Sequence, residues 1–249
     1  MKVLSLFSYR ENVGKTTLAS CIALKMYEKG YNVGILDFDL LTPGGLAILF
    51  DRPDLDQGVA DTLLDNIPLK NIIIDISPNR ELDNKLLLIP AVLSIEKIIR
   101  ILREGCSFRK LKSMLSNLED NLDVLIVDTH AGFSEDTITM LTLSNLVLLV
   151  LRYDYQDIIG AKIAVSIFKR MEIPVISVVN MVPGNIPDKY ILDYIESKIG
   201  IRPILAIPLY EELLEFMTGR SVQNILTKHK GFSSSIERLT SSVEVKLNE

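Results

Sequence analysis

The sequence predicts an α/β fold, a doubly wound, mostly parallel sheet flanked by helices, and three observations carry that expectation. Runs such as Val124 to Val127 and Leu146 to Leu151 are apolar without alternation, as strands buried on both faces of a parallel sheet are. Longer segments with apolar residues at helical spacing separate them. At the head of this alternation the first strand passes through a tight turn, Gly14-Lys15-Thr16-Thr17, straight into a helix.

Taken in order, residues 2 to 22 read as strand, loop and helix start. Lys15 stands where the helix begins, beside free backbone N–H groups and the positive end of the dipole, so a cation there needs an anion to share the site. A phosphate supplies one. In such a loop the backbone around Asn12, Val13 and Gly14 wraps the phosphates, Lys15 reaches the outer groups, the Thr16 hydroxyl takes Mg²⁺ and Thr17 backs the α-phosphate. The strict pattern G-x-x-x-x-G-K-[ST] nonetheless fails, because Tyr9 occupies the first glycine position.

Beyond the loop, Thr16 to Lys29 carries Leu18, Cys21, Ile22 and Met26 on one helical face and stops before Gly30. Asn32 to Phe38 is a strand, Leu40 to Gly45 a loop, and Asp61 to Leu64 part of a short helix. Asn71 to Ile76 and Lys85 to Pro90 read as two strands joined by a turn. Ser94 to Leu122 reads as two helices broken near Gly105. Their stripes, Ile95, Ile98, Ile99, Leu102 and Phe108, Leu111, Leu115, Leu118, are both expected to face the core. A helix through about Leu143 follows the strand that ends at Asp128. Further strands are expected at Leu146 to Leu151, Val175 to Val179 and Ile204 to Ile207, with helices at Gln156 to Met171 and Asp188 to Lys198 between them.

With 249 residues, residues 1–249 are expected to form one domain, of which 232–249 is a helical tail. No segment approaches the apolar length of a membrane span, and Met1 leads directly into the first strand, so a cytoplasmic protein is expected. A net charge of −5 argues against a surface coated for nucleic acid. Cys21 and Cys106 form neither a disulfide framework nor a Cys-x-x-Cys metal site.

If the loop holds a nucleotide triphosphate, carboxylates for Mg²⁺ and water belong on neighbouring strand ends. Asp37 and Asp39, two apart and therefore on one face, close the second strand, and Asp128 closes another in the position of a Walker B aspartate. Val13-Gly14-Lys15-Thr16-Thr17, Gly34-Ile35-Leu36-Asp37-Phe38-Asp39 and Val127-Asp128-Thr129-His130-Ala131-Gly132 together resemble the deviant Walker A P-loop ATPases of the MinD and ParA group, in the SIMIBI class. Tyr155 to Gly160, Val179 to Pro183 and Ile207 to Leu213 fall in that family's order, so the resemblance spans residues 1 to about 217.

The resemblance implies roles. Lys15 and Thr16 hold phosphate and Mg²⁺, Asp39 orients the attacking water, Asp37 lies near the metal and Asp128 is the Walker B residue. Gly132 ends a switch that senses the γ-phosphate, while Asn180, Pro208 and Leu209 surround the adenine. ATP binding would make a homodimer, and hydrolysis to ADP would release it. Where the family has Lys-Gly-Gly, this chain has Arg10-Glu11-Asn12, so Arg10 takes the place of the lysine that crosses to the partner's nucleotide. Glu11 and Asn12 add side chains where the family has glycine, and a positive φ there carries a penalty. His130 stands in place of a proline and is read as a plain loop residue rather than a base.

Arg100, Arg103, Arg109, Lys110 and Lys112 form a basic cluster, read first as a solvated helix face and second as a contact for DNA or an acidic partner. Lys228, His229 and Lys230 form a smaller one. The tail carries Ile236, Leu239, Val243 and Leu247 at helical spacing, without the basic excess that an anionic membrane attracts, so packing on the chain's own body is expected. The function expected is a dimerisation switch serving intracellular positioning or partitioning, with an unidentified protein partner and a DNA or membrane surface left open. The alternatives are a nucleotide-binding regulator with little hydrolysis and an ATP-dependent ligase on a related fold.

Overall fold

The computed structural model describes every residue except 43, 53, 93, 185, 187 and 214–220, so one position of the expected loop from Leu40 to Gly45 lies outside the described residues. The strands are β1 (Lys2–Phe7), β2 (Val33–Phe38), β3 (Ile74–Asp75), β4 (Leu86–Ile89), β5 (Val124–Thr129), β6 (Leu146–Arg152), β7 (Val175–Val182) and β8 (Leu205–Pro208). Among the described residues they form one sheet in the order β3-β4-β2-β5-β1-β6-β7-β8. Every neighbouring pair is parallel except β3 with β4. β1 thus lies inside the sheet, flanked by β5 and β6, and the loop that follows it opens among the carboxyl ends of its neighbours, where ligands bind in such sheets.

The helices are α1 (Lys15–Glu28), α2 (Gly45–Leu49), α3 (Val59–Asp65), α4 (Ile95–Glu104), α5 (Phe108–Ser116), α6 (Glu135–Thr142), α7 (Tyr155–Arg170), α8 (Asp188–Ile199), α9 (Val222–Lys228) and α10 (Lys230–Asn248). Leu4, Leu6 and Ile35 share a core with α1, α9 and α10. On the opposite face Leu36 and Val127 pack with α3 and α5, and Phe7 and Leu149 pack with α7 and α8. The sheet is therefore covered on both sides, which is why its strands read as unbroken apolar runs.

Three expectations change. The run from Asn71 to Ile76 is not a full strand: Leu69–Asn71 makes a turn of 3-10 helix, Ile72 turns into the core, and only Ile74–Asp75 pairs, antiparallel, with β4. β-branched residues favour a strand locally, but at the sheet edge burial of Ile72 outweighs that weak preference. The α4 stripe does not face the core, since Ile95 is 73% exposed, Leu102 67% and Ile99 42%, while Ile101 points inward. On α5, Phe108 is exposed, whereas Leu111, Met114 and Leu115 are buried.

The tail, α10, lays Ile236, Leu239, Val243 and Leu247 against the α1 side of the core. Its rim is fixed by Lys29, whose Nζ lies 2.8 Å from Glu244, and by the Tyr31 hydroxyl, which donates to the same carboxylate. Among the described residues no helix is long and apolar enough to cross a membrane.

Candidate functional site

The loop after β1 keeps its tight path with only one glycine. Asn12 has φ 58° and Gly14 φ 89°, both in the left-handed region. Asparagine is among the few side chains that enter it readily, so Asn12 meets the backbone demand that the family meets with glycine. At Gly14 space matters too, because a Cβ would lie 2.5 Å from Asn180 Nδ2. Asn180, buried near the end of β7, donates that amide to the Val13 carbonyl at 2.8 Å and braces the loop from beneath.

Lys15 is buried, and its Nζ donates to Ser8 Oγ at 2.9 Å, while Ser8 Oγ donates to the Arg10 carbonyl at 2.6 Å. Burial lowers the lysine's pKa, and Asp128, Asp39 and Glu11 pull it back up. Ser8 was invisible as a site residue because it lies outside the Gly-Lys-Thr signature. It holds the Lys15 ammonium at the head of α1.

The parallel register sets Asp37 on β2 beside Asp128 on β5. Burial pushes the Asp128 carboxyl up to about 6, with the Thr16 hydroxyl and Lys15 opposing and Asp39 reinforcing the shift. Asp37 is raised well above its usual range by burial and then by Asp128, although the Asp39 N–H donates to it at 3.2 Å. Asp37 Oδ2 and Asp128 Oδ1 are buried with no hydrogen-bond partner. Two orphaned carboxylate oxygens beside a threonine hydroxyl suit Mg²⁺, which takes one or two carboxylates and fills the rest of its shell with phosphate and water. Among the described residues no group of three or more His, Cys, Asp and Glu is placed to hold a metal ion.

Asp39 is less buried, and its Oδ1 accepts from the Thr42 N–H at 3.1 Å and the Leu41 N–H at 3.4 Å. It also meets His130 Nδ1 at 2.9 Å. The reading of His130 as a plain loop residue did not foresee this contact. No sequence signal announces the contact, because the partners stand 91 positions apart and meet only through the pairing of β2 with β5.

Gly132, at φ 77°, gives its N–H to the Ser8 carbonyl at 2.8 Å, so the loop after β5 is docked on the loop after β1. Arg10 Nη1 lies 3.6 Å from both Asp154 and Asp157, which Arg152 also holds. Arg10 is thus engaged within its own chain. Tyr9 lies across Gly160, where any Cβ would strike its ring. Thr17 sits in the first turn of α1, and Pro208 and Leu209 are exposed at the end of β8, with the Leu209 N–H on the Val182 carbonyl at 2.7 Å. Cys21 is buried in α1 and Cys106 follows α4, so the two cysteines belong to different elements.

A buried lysine at the head of a helix, a hydroxyl beside it and carboxylates on two neighbouring strand ends define a P-loop nucleotide-binding protein. A family profile described as an AAA domain, AAA_31, matches residues 1–174, and the chain belongs to that family, among the P-loop ATPases of MinD and ParA type. It is 28% identical over 184 residues to the flagellum site-determining protein YlxH of Helicobacter pylori, covering 73% of this chain and 58% of that one. It is also 28% identical to an iron-sulfur cluster carrier protein of Aquifex aeolicus, covering 99% of this chain and 69% of the relative. The chain spans less than two thirds of the length of the first curated relatives it matches. Its fold superimposes on the septum site-determining protein MinD of Pyrococcus horikoshii, solved with Mg-ADP. The TM-score is 0.79 at 18% identity, covering 97% of this chain and 95% of that one.

Proposed function

We propose that the chain is an ATP-binding, Mg²⁺-dependent ATPase of slow turnover, acting as a nucleotide-driven dimerisation switch in intracellular positioning or partitioning. One observation carries the reading: Asp37 and Asp128 bury carboxylate oxygens without partners beside Lys15 and Thr16. Burying such groups is costly unless a bound cation and its anion complete them.

Bound Mg²⁺ would supply charge neutralisation at the β- and γ-phosphate oxygens. Lys15 would exchange Ser8 Oγ for phosphate oxygens, and Thr16 would turn its hydroxyl to the metal. Asp39 would orient the attacking water. Gly132 would trade the Ser8 carbonyl for the γ-phosphate, so that the position of the second switch reports the nucleotide state. Asn180, Pro208 and Leu209 would line the base. Arg10 would leave Asp154 and Asp157 for the nucleotide of a second subunit, where a guanidinium can stabilise transferring phosphate.

The site-determining name of YlxH supports a positioning role, which we place in the cytoplasm, peripheral to a membrane or nucleoid, with a protein partner that triggers turnover. A second reading, a nucleotide-binding regulator that barely hydrolyses ATP, is favoured by one feature: Arg10 and the Gly132 N–H are both engaged within the chain. Lys15→Ala is expected to abolish ATP binding in calorimetry. Light scattering with ATP separates the two readings. Asp39→Ala is expected to trap a dimer and Arg10→Ala with Asp39→Ala to remain monomeric, whereas a monomer throughout would favour the regulator.

A further inference from the structure

We propose that His130 is a positioning residue for Asp39, fixing the carboxylate that orients the attacking water; the inference rests on the role given to Asp39 above. The segment carrying His130 is anchored on both sides. Thr129 Oγ1 donates to the Leu6 carbonyl at 2.7 Å, and the Gly132 N–H donates to the Ser8 carbonyl at 2.8 Å. Both anchors belong to β1 or its loop. His130 is the link in the other direction, to the end of β2, at 2.9 Å.

A carboxylate only accepts, so the Nδ1 atom carries the hydrogen. Nδ1 is the ring nitrogen nearer the backbone, and a contact through it leaves little freedom between an anchored main chain and the carboxylate it holds. Oδ1 of Asp39 then receives three donors, His130 Nδ1 and the N–H groups of Leu41 and Thr42. Among the described residues Oδ2 receives none. One oxygen is therefore fully committed to the protein and the other is left to face the site in a fixed direction, which is what orienting a water requires. The two N–H groups alone belong to the local turn after β2 and move with it. Among the described residues, His130 is the donor to Oδ1 that comes from outside that turn, and it ties the carboxylate to the end of β5. A proline at 130 has no donor with which to do this.

The test is a double-mutant cycle on steady-state ATP turnover of the full chain with Mg²⁺. His130→Ala is expected to lower kcat roughly tenfold, the scale of one hydrogen bond to a charged group, with KM for ATP unchanged. His130→Asn, whose amide nitrogen reaches about as far as Nδ1, is expected to recover most of the loss, and His130→Gln and His130→Pro are not. In an Asp39→Ala background, removing His130 is expected to cost nothing further.

Hydrogen exchange of residues 129–134 without nucleotide provides a readout that needs no turnover. It is expected to quicken by a similar factor in His130→Ala and in Asp39→Ala, without adding in the double variant. A rise in kcat, or equal losses in His130→Ala and His130→Asn, or an additive double variant, would overturn the proposal. If Asp39→Ala itself turns over ATP at the normal rate, the role of Asp39 fails instead, and the exchange cycle still decides whether His130 holds it.

Discussion

Along α10 each buried polar group finds a partner, whereas the strand-end site leaves Asp37 Oδ2 and Asp128 Oδ1 buried and unpaired. Ser235 shares a hydrogen bond with the Tyr210 hydroxyl at 3.1 Å, and Thr240 Oγ1 donates to the Ile236 carbonyl at 2.8 Å. Around them Leu239 and Val243 are fully buried. In the site, Lys15 and two carboxylates are buried close together, and burial raises the pKa values of Asp37 and Asp128 although Lys15 opposes the shift at Asp128. The first region contributes stability through packing, and the second consumes some of it to keep charge ready for a ligand.

The largest expected effect is on the packed side. Leu239→Ala should cost about 2 to 5 kcal/mol in urea unfolding, the range for a buried leucine, while ATP affinity in calorimetry stays unchanged. A large loss of affinity would break the comparison, since the flank would then not be separable from the site.

On the other side, Asp128→Asn should stabilise the nucleotide-free protein. An aspartate titrates near 3.8 without the folded environment, and Asp128 near 6 within it. The stability this group contributes is therefore present below about pH 4 and lost as pH rises through about 6, and Asp37 shifts in the same direction. Removing the titration should raise stability near neutral pH by up to about 3 kcal/mol and flatten the profile between about pH 4 and 7, measured by thermal unfolding. A variant less stable than its parent would mean that the charge is already compensated without ligand.

The smallest effect sharpens the contrast from a third region. Ile95→Ser with Leu102→Ser changes an apolar stripe as regular as that of α10, yet it lies in the open, so stability should move by no more than about 0.5 kcal/mol. A loss above about 1 kcal/mol in the same unfolding experiment would show that the stripe is covered in solution.

These two helices mark how far the sequence can be read. Spacing identifies an apolar face on α4 and on α10 alike, but what lies opposite depends on how the sheet and its crossovers arrange their neighbours. At His130 the limit lies elsewhere, since nothing in the residues around it signals the carboxylate that it meets. Asn12 shows an intermediate case: it breaks the glycine pattern, yet its tolerance of positive φ preserves the turn.

Most of the order of strands and helices, the tight loop between β1 and α1 and the acidic residues at the ends of β2 and β5 were legible in the sequence, because each is written in consecutive residues. Buried parallel strands are unbroken apolar runs, and helix starts and stops carry their own residues. Tertiary structure alone decided that Ser8 holds Lys15, that Arg10 rests on Asp154 and Asp157, that Asn180 braces Val13 and that His130 reaches Asp39. These contacts depend chiefly on how the strands pair and the loops beyond them fold, and pairing partners far apart in the chain leave no periodicity behind them.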